Sequence, residues 1–442
     1  MVSVSGIRGI VGESIIPDIY LKYVMAYSTL IGRGKIIVGS DTRVSKELLR
    51  SIVYSGLIST GAQIIDIGIV PTPTVGKMVS EFNANGGIAI TASHNPPEWN
   101  ALKFFSSKGT FLNKEEFNKL MDIFTNEKFE LVSFNKLKSV KKFSGATMLH
   151  IKKILSHIDI ELIKSKKFKV AVDLCNGAAC FIVPDLLEEL GCEYVTCFDN
   201  PSGLFERVAE PLPENLGRLK NLVRESGADI GFAIDPDADR VAVVDEKGKV
   251  IGEERSCTLA AYHVLKYKEK SDIAVNLSTT MAVDDVAKIF GVKVFRTPIG
   301  EANVISKMLE KKLIIGGEGN GGVIYKTMHL GRDASTGIAL FLELMAKENK
   351  PISEINKVVP TYPMVKTKLS IDRERISNIL ENLKKEFSDK KLNTEDGVKI
   401  IFEGGWVHVR PSGTEPIVRL YAEAKNKNKL NEYVKLVKSN IK

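Results

Sequence analysis

Apolar and polar positions alternate along the chain in two rhythms. Short apolar runs that read as strands are followed by longer segments in which apolar residues recur at helical spacing. One order appears three times: an apolar run, a polar turn, a helical segment, a glycine and a second apolar run, which is how a βαβ unit reads in sequence. The first copy has its runs at 35–39 and 63–67, with a helix over 46–60 and Gly61 between; the second has runs at 169–173 and 193–196 around a helix at 184–190 and Gly191. The third has runs at 273–276 and 293–295 around a helix at 282–290 and Gly291. Each glycine stands where a helix end needs a left-handed residue, and right-handed crossovers then give parallel or mixed sheets covered by helices. After about Pro360 the pattern changes to short strands and long charged helices, 373–387 and 429–438, with no fourth copy. The fold expected is α/β, with three similar domains at 1–150, 151–252 and 253–360, a smaller α+β domain at 361–442, and an active site in the central cleft.

Length and composition bound this picture without choosing a function. The 442 residues exceed one ordinary core, and 44% hydrophobic with 26% charged residues is the composition of a globular protein. A net charge of +8 is spread among interleaved acids, so a nucleic-acid track is not expected, whereas anionic small substrates suit a basic surface. The densest basic stretch, 425–429, reads as a solvated helix face. Five cysteines match neither a zinc pair nor a secreted disulfide framework, and no run of eighteen apolar residues occurs. The expectation is a cytoplasmic protein with reduced thiols and no membrane partner.

Four loops carry groups that do chemistry. Residues 91–97, Thr-Ala-Ser-His-Asn-Pro-Pro, follow the apolar run 87–90. Prolines stiffen this loop, and Ser93 fixed at a strand end can act as nucleophile or phosphate carrier; the alternative is a serine-rich turn, with His94 a base or a structural hydrogen-bonding group. Residues 235–240, Asp-Pro-Asp-Ala-Asp-Arg, join two apolar runs. Asp235, Asp237 and Asp239 would repel one another without a cation, and three hard oxygen ligands with positions left open suit Mg²⁺ holding a phosphate oxygen. An EF-hand matches the acidic spacing through Glu246, but Arg240 occupies its obligatory glycine and the flanks read as strands.

The third loop, 316–322, surrounds Glu318 and Asn320 with five glycines; it is no dinucleotide fingerprint, and Glu and Asn suit sugar hydroxyls, a bare backbone allowing close approach of a ligand. The fourth, 410–416, offers Arg410, the hydroxyls of Ser412 and Thr414 and the amides of Gly413 and Thr414, with Arg419 on the run beyond: the parts of a phosphate nest. Simple turns remain the alternative for both.

The ordered set of loops, spanning essentially the whole chain, resembles the α-D-phosphohexomutases. The resemblance implies that Ser93 is a phosphoserine, and that Asp235, Asp237 and Asp239 bind Mg²⁺ together with a Ser93 phosphate oxygen. Arg240 then faces the reacting phosphoryl group, and Arg8 and Lys103 stand near the phosphoserine, Lys103 matching a lysine of acid/base interest or being a surface residue. Glu318 holds sugar hydroxyls, and Arg410, Ser412, Gly413 and Thr414 clamp the other phosphate. Positions 1 and 6 of a hexose lie too far apart for direct transfer, so a bound hexose 1,6-bisphosphate must turn end for end, and that compound is the implied activator. The C-terminal domain is expected to close over the substrate, a small-molecule sugar phosphate, in a monomer or homodimer. Asn320 replaces a serine common in the family, and Glu301 stands where several glucose and mannose mutases have histidine. The reading leans slightly to phosphoglucosamine, with a broad glucose/mannose mutase as alternative; a sugar-phosphate-binding protein without turnover and a calcium-binding structural protein are the rival classes.

Overall fold

The computed structural model describes residues 2–3, 6–371, 373–411 and 417–441. Four sheets follow one another along the chain. The first repeat forms the strands Lys35–Ser40 and Gln63–Ile69 with the helix Lys46–Ser59 between them, paired in parallel with Ile36 opposite Ile64. These strands sit inside a seven-stranded mixed sheet, flanked by Gly86–Ile90 and the antiparallel Trp99–Phe105. The second repeat gives Lys169–Asp173 and Glu193–Cys197 in a five-stranded sheet, and the third gives Ile273–Asn276 and Val294–Thr297 in a four-stranded one, again parallel within each repeat. The helix Ala282–Phe290 ends on Gly291 at φ 64°, a left-handed conformation that costs glycine little.

The fourth sheet is antiparallel throughout: Met364–Ser370, Ile417–Ala424, Gly405–Pro411, Val398–Phe402 and Lys391–Asn393, in that spatial order. The helices Arg373–Glu386 and Lys427–Ser439 supply residues to an apolar core shared with one face of this sheet, including Leu383, Val407, Leu420 and Val437. The architecture is therefore three α/β units with mixed sheets and a smaller α+β unit. Among the described residues no helix is long and apolar enough to cross a membrane, and the cysteines are free.

One helix departs from a simple string of domains. Ala334–Glu348 is buried on every side from Ala334 to Ala346, and it joins strands of the second sheet (Phe232, Val241) and the third (Ile315, Val323) in one continuous core. A helix buried all round faces no solvent, so it is laid between two units. That core fixes the metal loop, which leaves the second sheet, relative to the sugar loop, which leaves the third.

Candidate active site

The serine loop is built at the end of Gly86–Ile90. Thr91 Oγ1 donates to Asp41 Oδ2 at 2.6 Å and accepts from the Ser93 amide at 3.0 Å. Arg43, with no exposed surface, holds the rest: Nε donates to Asp41, Nη1 to the carbonyls of Pro96 (2.5 Å) and Trp99 (2.8 Å), and Nη2 to those of Ser93 (2.6 Å) and Asn95 (2.7 Å). Every donor direction of the guanidinium is used, which satisfies carbonyls that a tight loop leaves without ladder partners. Ser93 itself takes φ 51°, an uncommon left-handed conformation for a residue with a side chain. Arg8 reaches the same loop, donating from Nη1 to Asn95 Oδ1 at 3.2 Å. Burial, with the nearby Arg240 and Arg8 charges, pushes the His94 imidazole well below its usual value, so it is neutral, and its Nδ1 lies 3.5 Å from Ser93 Oγ.

The acidic loop is the connection between Ile230–Ile234 and Val241–Asp245, whose antiparallel pairing closes at Ile234 opposite Val241. Flanking strands exclude the EF-hand on structural grounds as well. All three aspartates are fully buried, with ligand atoms within 4.8 Å of one another. Ser93 Oγ donates to Asp235 Oδ2 at 3.0 Å, while Asp235 Oδ1 accepts the amides of Asp239 and Arg240, both at 3.1 Å. Asp237 Oδ2 accepts from Lys103 Nζ and Thr72 Oγ1, each at 2.6 Å, and Asp239 Oδ2 from Arg332 Nη2 at 2.6 Å. The remaining oxygens, Oδ1 of Asp237 and of Asp239, are buried and receive no hydrogen bond.

Two buried acceptors without donors, beside a third carboxylate, are a site that a hard dication completes. Electrostatics agree. Burial and the charges of Asp239 and Asp237 push Asp235 well above the carboxylate range; burial raises Asp237 too, but Lys103 outweighs it and holds that carboxyl below the range. Lys103, opposite Ala89 on Trp99–Phe105, is kept an ammonium because Asp237 and Asp239 outweigh the cost of its burial. Arg240 lies along the cluster, its Nε 3.5 Å from Asp239 Oδ1 and its Nη1 3.4 Å from Glu210.

The glycine-rich loop turns between Ile315–Glu318 and Gly322–Tyr325. Glu318 Oε1 accepts from Asn276 Nδ2 (2.8 Å) and the Gly300 amide (3.0 Å); Oε2 accepts from Arg332 Nη1 (2.6 Å) and Asn320 Nδ2 (3.4 Å). Arg332 thus joins the sugar-loop glutamate to the metal-loop Asp239, and Glu301, raised to about 7 by burial, steadies it through the Arg332 amide at 3.0 Å and Nε at 3.1 Å. Two of the five glycines make room for the protein itself: a Cβ on Gly319 would lie 2.1 Å from Glu254 and one on Gly322 2.2 Å from Arg332, so charged side chains fill their bare faces.

In the C-terminal sheet Arg410 is directly opposite Arg419. Arg410 Nε donates to Asp396 Oδ2 at 3.1 Å, and the same oxygen accepts the Ile299 amide at 3.0 Å, one residue before the Gly300 that holds Glu318. Ser412, Gly413 and Thr414 lie outside the described residues. A continuous set of contacts therefore links Ser93, Arg8, Lys103, the three aspartates, Arg240, Glu318, Asn320 and Glu301, and reaches Arg410 through Asp396. Sequence reasoning missed Arg43, Arg332 and Asp396. The first stands in a polar cluster just beyond Lys35–Ser40, a strand-end position like those of the loops it did single out.

Loops of three α/β units that meet at one buried cluster, with a smaller α+β unit reaching it through Arg410 and Asp396, are the scaffold of a multidomain sugar-phosphate mutase. Family models for phosphoglucomutase/phosphomannomutase match in order, α/β/α domain I over residues 2–131, domain II over 149–248, domain III over 253–362 and the C-terminal domain over 367–438. A phosphoglucomutase/phosphomannomutase of Thermococcus kodakarensis is 41% identical over 98% of this chain and 96% of its own, and a probable phosphoglucosamine mutase of Methanopyrus kandleri 36% identical over 97% and 94%. The chain belongs to the phosphoglucomutase/phosphomannomutase family, whose members are mutases and hence isomerases. Among solved structures, a family protein of Burkholderia thailandensis superposes with a TM-score of 0.86 at 25% identity, covering 100% of this chain and 98% of its own. The same fold, at TM-score 0.59 and 15% identity over 93% and 83% of the chains, occurs in an Aspergillus fumigatus N-acetylphosphoglucosamine mutase in complex with GlcNAc-6P and magnesium.

Proposed function

We propose that this chain is a magnesium-dependent phosphohexomutase that interconverts hexose 6-phosphate and hexose 1-phosphate through a phosphorylated Ser93. The observation that carries the reading is the 3.0 Å hydrogen bond from Ser93 Oγ to Asp235, which brings a nucleophile from one unit into the carboxylate cluster of another. Magnesium, bound by Asp235 and by the Oδ1 atoms of Asp237 and Asp239, would supply positive charge to the oxygens of a phosphoryl group on Ser93. Arg240 and Lys103 bring further positive charge to the same spot in a water-poor environment, where fixed charges act strongly. Arg332 holds Glu318 with its carboxylate oriented for sugar hydroxyls, and Arg410 and Arg419 take the phosphate at the far end. Phosphoryl transfer from Ser93 to the free hydroxyl of the substrate gives hexose 1,6-bisphosphate. After this turns in the cleft, the other phosphoryl group returns to Ser93. The names of the relatives divide between glucosamine and glucose/mannose phosphates, so glucosamine phosphate is the first substrate to try and broad glucose/mannose specificity the second.

A coupled assay with Mg²⁺, a trace of hexose 1,6-bisphosphate and each sugar phosphate in turn tests this. Ser93→Ala is expected to lose at least about a thousandfold in rate. Absence of turnover on all three sugars by protein that carries phosphoserine would defeat the proposal in favour of a sugar-phosphate-binding protein.

A further inference from the structure

Three buried polar side chains outside the four loops tie the first unit to the third. Thr74, on the helix Thr72–Glu81 of the first unit, has its Oγ1 2.9 Å from His150 Nδ1, and His150 Nε2 lies 2.9 Å from Asp333 Oδ2. His150 belongs to the helix Ala146–Leu155, on the way from the first unit to the second, and none of the three exposes more than 1% of its surface. Asp333 caps Ala334–Glu348, accepting from the Ser335 amide at 3.0 Å and from Thr336 Oγ1 at 2.5 Å. Burial alone would raise its carboxyl, but His150 and Thr336 outweigh burial and hold the group below the usual range. An ionised carboxylate only accepts, so His150 Nε2 is the donor.

Both ends of this bridge adjoin the reaction centre. Two residues before Thr74, Thr72 donates from its amide to the Asp237 carbonyl at 2.9 Å and from Oγ1 to Asp237 Oδ2 at 2.6 Å. The residue before Asp333 is Arg332, which holds Asp239 and Glu318. The residue after it, Ala334, donates to the carbonyl of Ala238, inside the metal loop, at 3.1 Å. Contacts therefore run in a closed ring, from the metal loop through Thr72 and Thr74 to His150 and back through Asp333 and Ala334. This ring sets the unit that carries Ser93 and Lys103 against the metal and sugar loops. Apolar packing, such as that of Ile151 and Ile154 on the same helix as His150, is non-directional and lets two units slide, whereas hydrogen bonds fix distance and angle.

We propose that His150 is a positioning residue for phosphoryl transfer: by bridging Thr74 to Asp333 it holds Ser93 and Lys103 in register with the metal and sugar loops. The inference deepens the mutase reading and rests on it. A misplacement of about 1 Å can cost about a hundredfold in rate even when the change lies far from the chemistry. In that reading the sugar hydroxyls and the far phosphate are held by residues of the third and fourth units, Glu318 and Arg410, so the loss falls on kcat more than on KM.

The test measures kcat and KM per folded enzyme in the coupled assay for the natural sequence, His150→Ala, His150→Gln and Thr74→Val, with thermal unfolding to count the folded protein. His150→Ala is expected to lower kcat roughly ten- to a hundredfold, with KM within about threefold of its starting value. His150→Gln, whose amide can donate to Asp333 and accept from Thr74, should recover most of the loss. Thr74→Val keeps the shape, removes the hydroxyl and should cost roughly three- to tenfold in kcat. Added to His150→Ala it should cost little more, since both cut one bridge. A purely structural role would lower the melting point and leave kcat per folded enzyme where it was. Unchanged kcat in active, folded His150→Ala protein, or a loss confined to KM, overturns the inference and leaves the mutase reading standing; should His150→Ala not fold, Thr74→Val decides by the same criterion. If the natural sequence shows no Ser93-dependent turnover, both fall together.

Discussion

The second and third units meet through grease, the third and fourth through polar groups. Between the former runs Ala334–Glu348, with Phe341 against Phe232 at 6.0 Å between ring centroids, in a core that belongs to both. Between the latter, the segment 277–281 is gripped from the fourth sheet. Lys399 donates to the Leu277 carbonyl, His408 meets Ser278, and Glu423 accepts from Thr280 and Met281, while Lys366 Nζ reaches Glu253 and Glu254. An apolar junction cannot open without exposing its area to water, whereas hydrogen bonds can be exchanged for water at a net cost of only about 1 kcal/mol each. The metal loop and sugar loop are thus set at a fixed spacing. The closure expected of the C-terminal domain would use the seam whose contacts water can replace.

The largest effect that tests this contrast is at the apolar junction. Phe341→Ala is expected to cost about 3–5 kcal/mol in a urea titration, since a buried ring is removed and the cavity collapses only in part; a loss under about 1 kcal/mol would show that the shared core does not carry the junction.

The polar junction should respond to pH instead. Burial raises Glu254 to about 7 from its ordinary 4.5, although Lys366 pulls the other way. On undocking, the carboxyl returns toward 4.5, so docking takes up a proton: its contribution is fully present below about pH 4.5 and is lost as pH rises through about 7, a change on the order of 1–3 kcal/mol. X-ray scattering at pH 5.5 and 8.5 should show a looser particle at the higher pH, with Glu254→Gln removing the difference; a particle of one size at both values contradicts the expectation.

The smallest effect is at Asp396, which ties Arg410 to Ile299 across this seam. Asp396→Asn should shift the melting point by no more than a couple of degrees, since a partly exposed pair contributes about 1 kcal/mol or less. It should raise KM for hexose phosphate about three- to tenfold as Arg410 loses its aim. An unchanged KM would mean that Arg410 is positioned by other contacts.

The three βαβ copies were legible because a helix between buried parallel strands leaves a local signature, and the strand-end loops because chemistry-bearing residues cluster within seven positions. What joins those loops was not. Arg43 acts on carbonyls some fifty residues away, and Arg332 bridges carboxylates from two units; a strand-end position marks the first, but nothing in the local sequence of either names its partners. The shared core escaped notice for a related reason: burial of a helix on all sides says that it is covered, not by what.

The left-handed backbone at Ser93 narrows which amino acid can hold that place. Threonine offers the same hydroxyl, but branching at Cβ makes φ near 51° a costly conformation for it. Arg43 pins the carbonyls of Ser93 and Asn95, so the loop has little freedom to relax around a second Cβ substituent. Chemistry alone would accept either alcohol; the geometry of the main chain reserves the position for the unbranched one.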